Sequence, residues 1–292
     1  MKKKKSSNKR LIPVLRTALF SVFSHKEIFC PFLIVALVQV LFISVLCFLP
    51  RYPLVNFFGP MIEKLHGDLY SHYPYYLEVM PKIFQKIQYG VFILLSSLMI
   101  GFAIKNIADL NQDIEVNPGK NFLYALSRYV HLLMGSVILF TIFFYGMRPL
   151  VGILVARATE IRSTSGLFYY LKMIVLRGAS FYMLFLGVVT TSVFGFLYPL
   201  IILEKKNVFV AFFINLKRMW GSYWFVFFVV LTPSILYVPL LLIRNNVTEV
   251  ATTILPEIRI IMLFASVILI FLIDSIIYTS ITTYYLLKKE NL

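Results

Sequence analysis

Two charged side chains lie inside long apolar runs of the sequence, where a charge is costly unless it has a partner or a function. Asp274 lies within ILIFLIDSIIYTS, and Arg148 lies within YGMRPLVG. A carboxylate in hydrocarbon costs about 2.5–3.5 kcal/mol on insertion scales, so we expect Asp274 to face the interior of a helix bundle. It is then either a site for a proton, a cation or a substrate, or a structural group that is protonated or hydrogen-bonded to Ser275, Thr279 or a neighbouring helix.

An ion pair between Arg148 and Asp274 would neutralise both charges, but their depths disagree. Counted from the same membrane face, Arg148 lies 17 residues into its apolar run and Asp274 lies 12 residues into its own. At 1.5 Å per helical residue, the two levels differ by about 7–8 Å. We therefore expect the Arg148 side chain to reach outward toward the membrane surface, with a water-bridged contact to Asp274 as the alternative.

A stripe of small residues marks the fourth apolar run. Gly187, Thr191 and Gly195 recur at every fourth position, so they share one face of a helix. Small residues at this spacing let two helices approach closely. The stripe predicts a packing face, either within the bundle or between two copies of the chain.

The motifs of common enzymes are missing from the sequence. It contains no H-E-x-x-H, G-x-S-x-G, Walker A or G-x-G-x-x-G pattern, and its four histidines are scattered. His66 and His72 share a segment with Glu63 and Asp68, but solvated loop residues explain this grouping as well as a metal site does. We predict a protein that is not an enzyme and that holds no metal or cofactor.

Composition shows which elements must position these residues. Of the 292 residues, 60% are apolar and only 14% are charged, against about 25% charged in an ordinary soluble domain. Such a chain cannot cover a core with polar surface, which indicates an all-α membrane protein. We predict six membrane-spanning helices, at 28–49, 88–104, 131–154, 179–203, 222–243 and 260–286.

The basic residues predict the orientation of these spans. With the N-terminus inside, the inner segments carry 17 Lys and Arg and the outer segments carry 10. The positive-inside rule then places both termini, 1–27 and 287–292, in the cytoplasm. This orientation and the attraction of basic residues to anionic lipid headgroups together explain the net charge of +15. We therefore expect membrane lipids as partners, a protein partner or a second copy as an alternative, and no nucleic acid.

Short amphipathic segments lie between the spans. Three of them, at 10–24, 119–130 and 205–218, are basic, and each precedes a span that runs outward, which predicts interfacial helices on the cytoplasmic side. The last two align at an offset of 86 residues and suggest a repeated unit. A fourth segment, 75–87, is amphipathic and aromatic, and we expect it on the outer leaflet.

The end of the fourth run carries a short motif within YPLIILEKKNVFVAFFINLKRMWGSYW. It resembles the bacterial six-span proteins of the YciC-like and glycerophosphodiester-phosphodiesterase membrane-domain group, through Pro199, Leu200, Glu204 and Ala211. The glycine common after the glutamate is replaced by Lys205, and the Ser-Trp of the group is absent. The resemblance implies an integral membrane module with a hinge or partner contact near Glu204; an interfacial charge cluster with Lys205 and Lys206 explains the same residues.

These observations leave three classes of function. The first is a non-enzymatic protein of the cell membrane that organises lipid or partner proteins, which the interfacial helices favour. The second is a transporter or channel that uses Asp274 in a polar cavity. The third, an intramembrane enzyme, lacks any motif. A cavity that reaches Asp274 would favour the second class, and a dry bundle would favour the first.

Overall fold

The computed structural model of the chain describes residues 11–68, 72–161, 165–253 and 255–290, and no strand occurs in those ranges. The first helices are α1 Leu11–Ser24, α2 Lys26–Phe48, α3 Leu54–His66, α4 Tyr76–Val91, α5 Ser97–Asn111, α6 Pro118–Ser127 and α7 Tyr129–Thr141. They are followed by α8 Arg148–Glu160, α9 Gly166–Val193, α10 Leu197–Leu203, α11 Val208–Met219, α12 Tyr223–Ser234, α13 Val238–Thr253 and α14 Ile258–Glu290.

Six of the helical stretches are long and apolar enough to cross a membrane, which confirms the prediction of an all-α multi-pass protein. They are Lys26–Phe48, Tyr76–Asn111, Tyr129–Glu160, Gly166–Leu203, Tyr223–Asn246 and Ile258–Lys289. Four of them combine two helices across a short irregular segment. The first ten residues of the basic tail lie outside the described ranges.

The second span differs most from the sequence prediction. We expected a helix at 88–104 and a separate surface segment at 75–87, whereas the structure has one stretch from Tyr76 to Asn111. The reason is packing, because the apolar face of α4 buries Tyr76, Met80 and Phe84 in a cluster with residues of α2 and α14. The polar face of α4 is left to line a cavity, as described below.

The bundle is built around α5 and α14. Helix α14 packs against α1, α2, α5 and α12, and α5 also packs against α6, α7 and α10. Nearly all side chains of α5 are buried, and so are those of α10 up to Ile202. Helix α1 buries Val14, Ala18 and Val22, so its apolar face lies on the bundle.

The spans alternate in direction and give the bundle two different ends. Helices α1, α6 and α11 lie at the end that holds the two ends of the described chain, which we call the terminal end. Helix α3 lies at the opposite end, which we call the far end. There Tyr73 donates a hydrogen bond to Glu257, and the Ser180 hydroxyl donates one to Asn245 at 3.2 Å.

Helices α6 and α11 begin in the same way. Asn117 and Asn207 are their N-caps, and each side chain accepts a hydrogen bond from the backbone N–H three residues later. The caps are 90 positions apart, so they align the two helices at a different offset from the predicted 86. The positions four and eight residues after the cap are buried in both helices and hold an asparagine and then an alanine in α6, but an alanine and then an asparagine in α11. The buried asparagines are Asn121 and Asn215.

Candidate functional site

Four spans are interrupted near one region of the bundle. The second and third contain π-helical turns at Phe92–Ser96 and Ile142–Met147. The fourth breaks at 194–196, between α9 and α10, and the fifth contains a 3₁₀ turn at Ile235–Tyr237 beside Pro233. Interruptions of this kind are tolerated at membrane depth only where the released backbone groups are bonded again or face a cavity.

Side chains of neighbouring helices bind the released backbone groups. The carbonyl of Ile93 in the first π-helical turn accepts hydrogen bonds from Ser97 at 2.7 Å and from Ser136 of α7 at 3.0 Å. At the break in the fourth span, Asn215 donates to the carbonyl of Val193 at 2.8 Å and accepts from the N–H of Phe196 at 3.0 Å. The interruptions of the second and fourth spans are therefore held in place by polar side chains, among them Ser136 and Asn215 of other helices.

The interrupted segments surround a cavity of about 440 Å³, which we call the central cavity. Each break contributes to its wall, through Phe92, Phe143, Phe194 with Gly195, and Tyr237. The wall is largely aromatic, with rings from Tyr89, Phe92, Phe140, Phe143, Phe194, Tyr198, Tyr237 and Tyr278. Ligand sites in proteins are commonly apolar hollows of this size with a few polar groups.

The small-residue stripe of the fourth span lies along the same cavity. Gly187, Thr191 and Gly195 all line it. A Cβ added at Gly195 would lie 3.0 Å from Val226 of α12, so the expected close helix contact exists at that end of the stripe. A Cβ added at Gly187 would meet nothing within 4 Å, so at this position the absent side chain leaves room in the cavity.

Asp274 lies between the central cavity and a second hollow of about 210 Å³, which we call the side cavity. It is the one charged residue among the described residues that line either of them. No described residue makes a hydrogen bond or an ion pair with its carboxyl group. Ser275 donates instead to the carbonyl of Leu272, and the buried hydroxyl of Thr279 has no partner among the described residues. The structural hydrogen bonds that we considered for Asp274 are therefore not formed in this structure.

Two tyrosines of the cavity wall offer further hydrogen-bonding groups. The Tyr198 hydroxyl is buried and has no partner in the described part of the chain. The ring of Tyr278 lies one helical turn after Asp274 on α14 and packs against that of Tyr198, with centroids 6.2 Å apart. One carboxyl group and two tyrosines thus supply polar contacts within a wall that is otherwise mostly apolar.

Arg148 lies away from Asp274. Its side chain is exposed, with the guanidinium carbon 4.7 Å from the centroid of the Phe144 ring. It lines neither cavity that Asp274 reaches. The two intramembrane charges that the sequence singled out are therefore separate, and only Asp274 belongs to the site.

Glu204 belongs to a polar cluster at the terminal end. Arg218 of α11 donates to it at 2.6 Å, and Tyr285 of α14 donates to it as well. Partial burial raises the pKa of Glu204, but the hydrogen bonds from Arg218 and Tyr285 outweigh this effect and hold it below its ordinary value. Lys288 of α14 extends the cluster and donates to the Arg218 carbonyl and the Ser222 hydroxyl. The cluster joins α10, α11 and α14, which is a structural role.

The residues around Glu204 explain how α10 ends. Lys205 has a φ of +53°, and the N–H of Lys206 donates to the carbonyl of Leu200 at 3.3 Å. This left-handed ending is the position where glycine is favoured. Pro199 lies within α10, just after the break, and it has no N–H to donate to the carbonyl of Gly195 four residues earlier. The motif therefore ends the fourth span and turns the chain into α11.

A second buried polar cluster was not identified from the sequence. Asn121 of α6 donates to Asn106 at 2.9 Å and to Asp109 at 2.7 Å, and Lys105 donates to Asp109 at 2.6 Å. Asn106 in turn donates to the carbonyl of Glu27 at 2.7 Å. In the sequence, the only indication of this contact is Asn121, a polar residue on the apolar face of the 119–130 segment. The cluster fixes α6 to α5 and to the start of α2.

No protein-family model matches the chain, and neither a curated protein nor a solved structure matches it. The function is therefore inferred from the chemistry of the site.

Proposed function

We propose that this chain is a non-enzymatic membrane carrier that binds a lipophilic organic cation beside Asp274 and exchanges it for a proton. The observation that supports the proposal is the carboxyl group of Asp274, which has no partner among the described residues and faces the central and side cavities. An unpaired carboxylate in an apolar interior is strongly disfavoured. The group must therefore hold either a proton or a positively charged ligand.

The walls of the central cavity suit an organic cation better than a metal ion. A metal ion would need several oxygen or nitrogen ligands, and no cluster of three or more His, Cys, Asp or Glu occurs in the part of the chain that the structure describes. Aromatic faces attract ammonium groups through cation–π interactions, by about 0.5–2 kcal/mol. Eight aromatic residues line the cavity, and the apolar remainder would bury the hydrocarbon part of the ligand.

Exchange follows from the single charge of the site. When the cation binds, Asp274 gives up its proton to water, and the carboxylate neutralises the ligand. When the carboxylate takes up a proton again, the electrostatic contact is lost and the cation leaves. A carrier that does this at opposite faces of the membrane moves one proton against one monovalent cation.

The test is binding of tetraphenylphosphonium to the detergent-solubilised protein, with wild type and Asp274→Asn compared. Asparagine keeps the shape of the side chain but cannot ionise. Tetraphenylphosphonium donates no hydrogen bond, so the lost contact is Coulombic; two unit charges about 5 Å apart attract by about 3 kcal/mol at an effective dielectric constant of about 20, so we expect up to roughly 100-fold weaker binding. Binding to wild type should also release protons into a weakly buffered solution. Equal affinity of the two proteins, or binding without proton release, would contradict the proposal.

A second function is favoured by the terminal-end helices. Helices α1 and α11 bury one face on the bundle and leave large apolar side chains exposed on the other, including Phe20, Phe23, Phe209 and Phe213. With the nearby lysines, these faces suit an interfacial position on anionic lipid. We propose further that the protein lies in a bacterial cell membrane with both termini in the cytoplasm, and that these helices organise lipid there. We also propose that it is related to the YciC-like group, as residues 198–224 suggest.

A further inference from the structure

A third cavity, of about 250 Å³, lies at the far end of the bundle and contains two arginines. It lies between α4, the Ile235–Tyr237 turn with α13, and α14, and Arg244 and Arg259 are both in its wall. We propose that this far-end cavity binds the phosphate headgroup of an anionic membrane lipid. The proposal does not depend on the carrier function, because it concerns different residues and a different ligand.

The two guanidinium groups have donors to spare. Arg259 is 17% exposed, and its contact to Glu78 is long, with Nη2 and Oε1 3.6 Å apart. Arg244 is exposed, and neither guanidinium makes a hydrogen bond to any residue that the structure describes. An arginine offers five N–H donors in a planar fork that matches the oxygens of a phosphate. The cavity therefore contains two guanidinium groups whose N–H donors have no hydrogen-bond acceptor within the described ranges, and the oxygens of a phosphate are acceptors of the right geometry.

The acids near the cavity do not supply that acceptor. Glu78 is 38% exposed and reaches Arg259 only at the long distance given above. Glu257 accepts a hydrogen bond from Tyr73, which lowers the pKa of the Glu257 carboxyl. Glu257 is absent from the cavity wall. The cavity thus has an excess of positive charge that an anion would neutralise.

The depth of the arginines fits a lipid headgroup. Arg244 lies two residues before the end of the span Tyr223–Asn246, and Arg259 is the second residue of the span Ile258–Lys289. At 1.5 Å per residue, Arg244 lies about 32 Å from the start of its span and Arg259 about 45 Å from the end of its own, against a hydrocarbon core of about 30 Å, so both reach the level of the headgroups at the far end. Basic pockets between membrane-spanning helices bind phospholipid headgroups on the cytoplasmic side of other proteins, and this cavity would be a site of the same kind at the far end.

The walls of the cavity suit the rest of a lipid molecule. Gln85 and Gln88 add amide groups, which hydrogen-bond to phosphate or glycerol oxygens. Pro81, Phe84, Leu240, Met262 and Leu263 supply the apolar side, against which the start of an acyl chain packs. A free phosphate ion would contact the guanidinium groups but not this apolar surface, whereas a lipid would contact both.

The far-end cavity also adjoins both of the cavities that Asp274 lines. Tyr237 lines both the far-end cavity and the central cavity, and Gln88 lines both the far-end cavity and the side cavity. The guanidinium of Arg244, with that of Arg259 only partly neutralised by Glu78, would repel a cation that approaches from the far end. A bound phosphate would neutralise them, so the lipid would make this end passable for a positively charged ligand.

The experiment measures binding of dodecyl phosphate to the full chain in a neutral detergent by native mass spectrometry. Dodecanol and inorganic phosphate are the comparison ligands. We expect dodecyl phosphate to bind and each comparison ligand to bind at least tenfold more weakly. Arg244→Gln and Arg259→Gln should each weaken dodecyl phosphate binding about tenfold or more, because each removes a charged fork from the phosphate.

Arg177→Gln is the matched control, because Arg177 is an exposed arginine of the far end that lies outside the cavity wall. It should leave the affinity unchanged. Size-exclusion chromatography shows whether each variant is folded, and Arg259→Lys, which keeps the charge, provides a second test at the less exposed position. Lysine there should lose less affinity than glutamine.

Three results would overturn the lipid site. The first is equal binding of dodecyl phosphate to folded Arg244→Gln and to wild type. The second is inorganic phosphate binding as tightly as dodecyl phosphate, which would indicate a simple anion site. The third is an equal loss in Arg177→Gln, which would indicate general surface charge. Binding of tetraphenylphosphonium through Asp274 can succeed or fail whichever of these results is found.

Discussion

Gly187 offers a change that should weaken ligand binding without weakening the fold. It lies inside α9, six residues before its end, and lines the central cavity, and a Cβ at this position would meet nothing within 4 Å. The Cβ of a leucine at this position therefore needs no rearrangement of its neighbours, and the cavity offers space for the rest of the side chain. A glycine inside a helix is about 0.8–1.0 kcal/mol less favourable than alanine, and leucine is close to alanine, so the unfolding free energy should rise by about that amount.

The same substitution should reduce cation binding. The leucine would occupy space that the ligand needs, and an overpacked interior costs about 1–3 kcal/mol. This corresponds to a Kd for tetraphenylphosphonium about 5- to 150-fold higher than in wild type. Gly152→Leu is the matched control, because Gly152 is an exposed glycine inside α8 whose Cβ would also meet nothing within 4 Å. It should gain similar stability and keep wild-type affinity.

The assay combines thermal unfolding in detergent with equilibrium dialysis of the cation, on all three proteins. Opposite changes in stability and affinity for Gly187→Leu, with a change in stability alone for Gly152→Leu, are the expected result. If Gly187→Leu binds the cation as tightly as wild type, the central cavity is not the binding site. If Gly187→Leu loses stability, the position is not open as the structure shows it.

Three further changes test the fold and its orientation. Asn215→Ala removes two hydrogen bonds at the break of the fourth span, so thermal unfolding should show a loss of about 1–3 kcal/mol; an unchanged unfolding free energy would mean that the break is held by other contacts. Because hydrogen bonding lowers the pKa of Glu204 in the folded state, its contribution to stability is full above the unfolded pKa and is lost as the pH falls through the folded one. Glu204→Gln should therefore flatten the acid side of a plot of Tm against pH, and an acid side as steep as in wild type would contradict this role. Single cysteines at positions 70 and 290 should differ in labelling by a membrane-impermeant reagent added from outside, with only position 70 reacting; labelling of both would refute cytoplasmic termini.

Composition and long apolar runs were sufficient to predict the six spans, because a helix in lipid must satisfy its own backbone and this leaves a clear length signal. The boundaries were less predictable where an amphipathic segment continues into a span. In the case of α4, the amphipathic pattern of residues 75–87 suggested a membrane surface, but Gln85 of that segment lines a cavity at the end of the bundle together with Gln88. Periodicity alone cannot distinguish a water-facing side from a cavity-facing one.

The site was predictable only in part, because its shape depends on where helices break. Asp274 was identified as a residue that must face the interior, and the structure places it between two cavities. The cavities themselves arise from interruptions in four spans, and only prolines such as Pro233 mark an interruption in the sequence. At the break of the fourth span, the residue that fixes the geometry is Asn215, which lies 19 positions after the N–H it binds.

Buried asparagines therefore carry information that hydropathy analysis discards. Asn121 and Asn215 lie on the buried faces of two amphipathic helices, where an unpaired amide would be costly. Each must have a partner in the bundle, and the partners are the Asn106–Asp109 pair and the backbone of the broken fourth span. The two helices thus attach to the bundle through the same kind of residue. One attachment fixes a surface helix, and the other holds open the helix break that borders the central cavity.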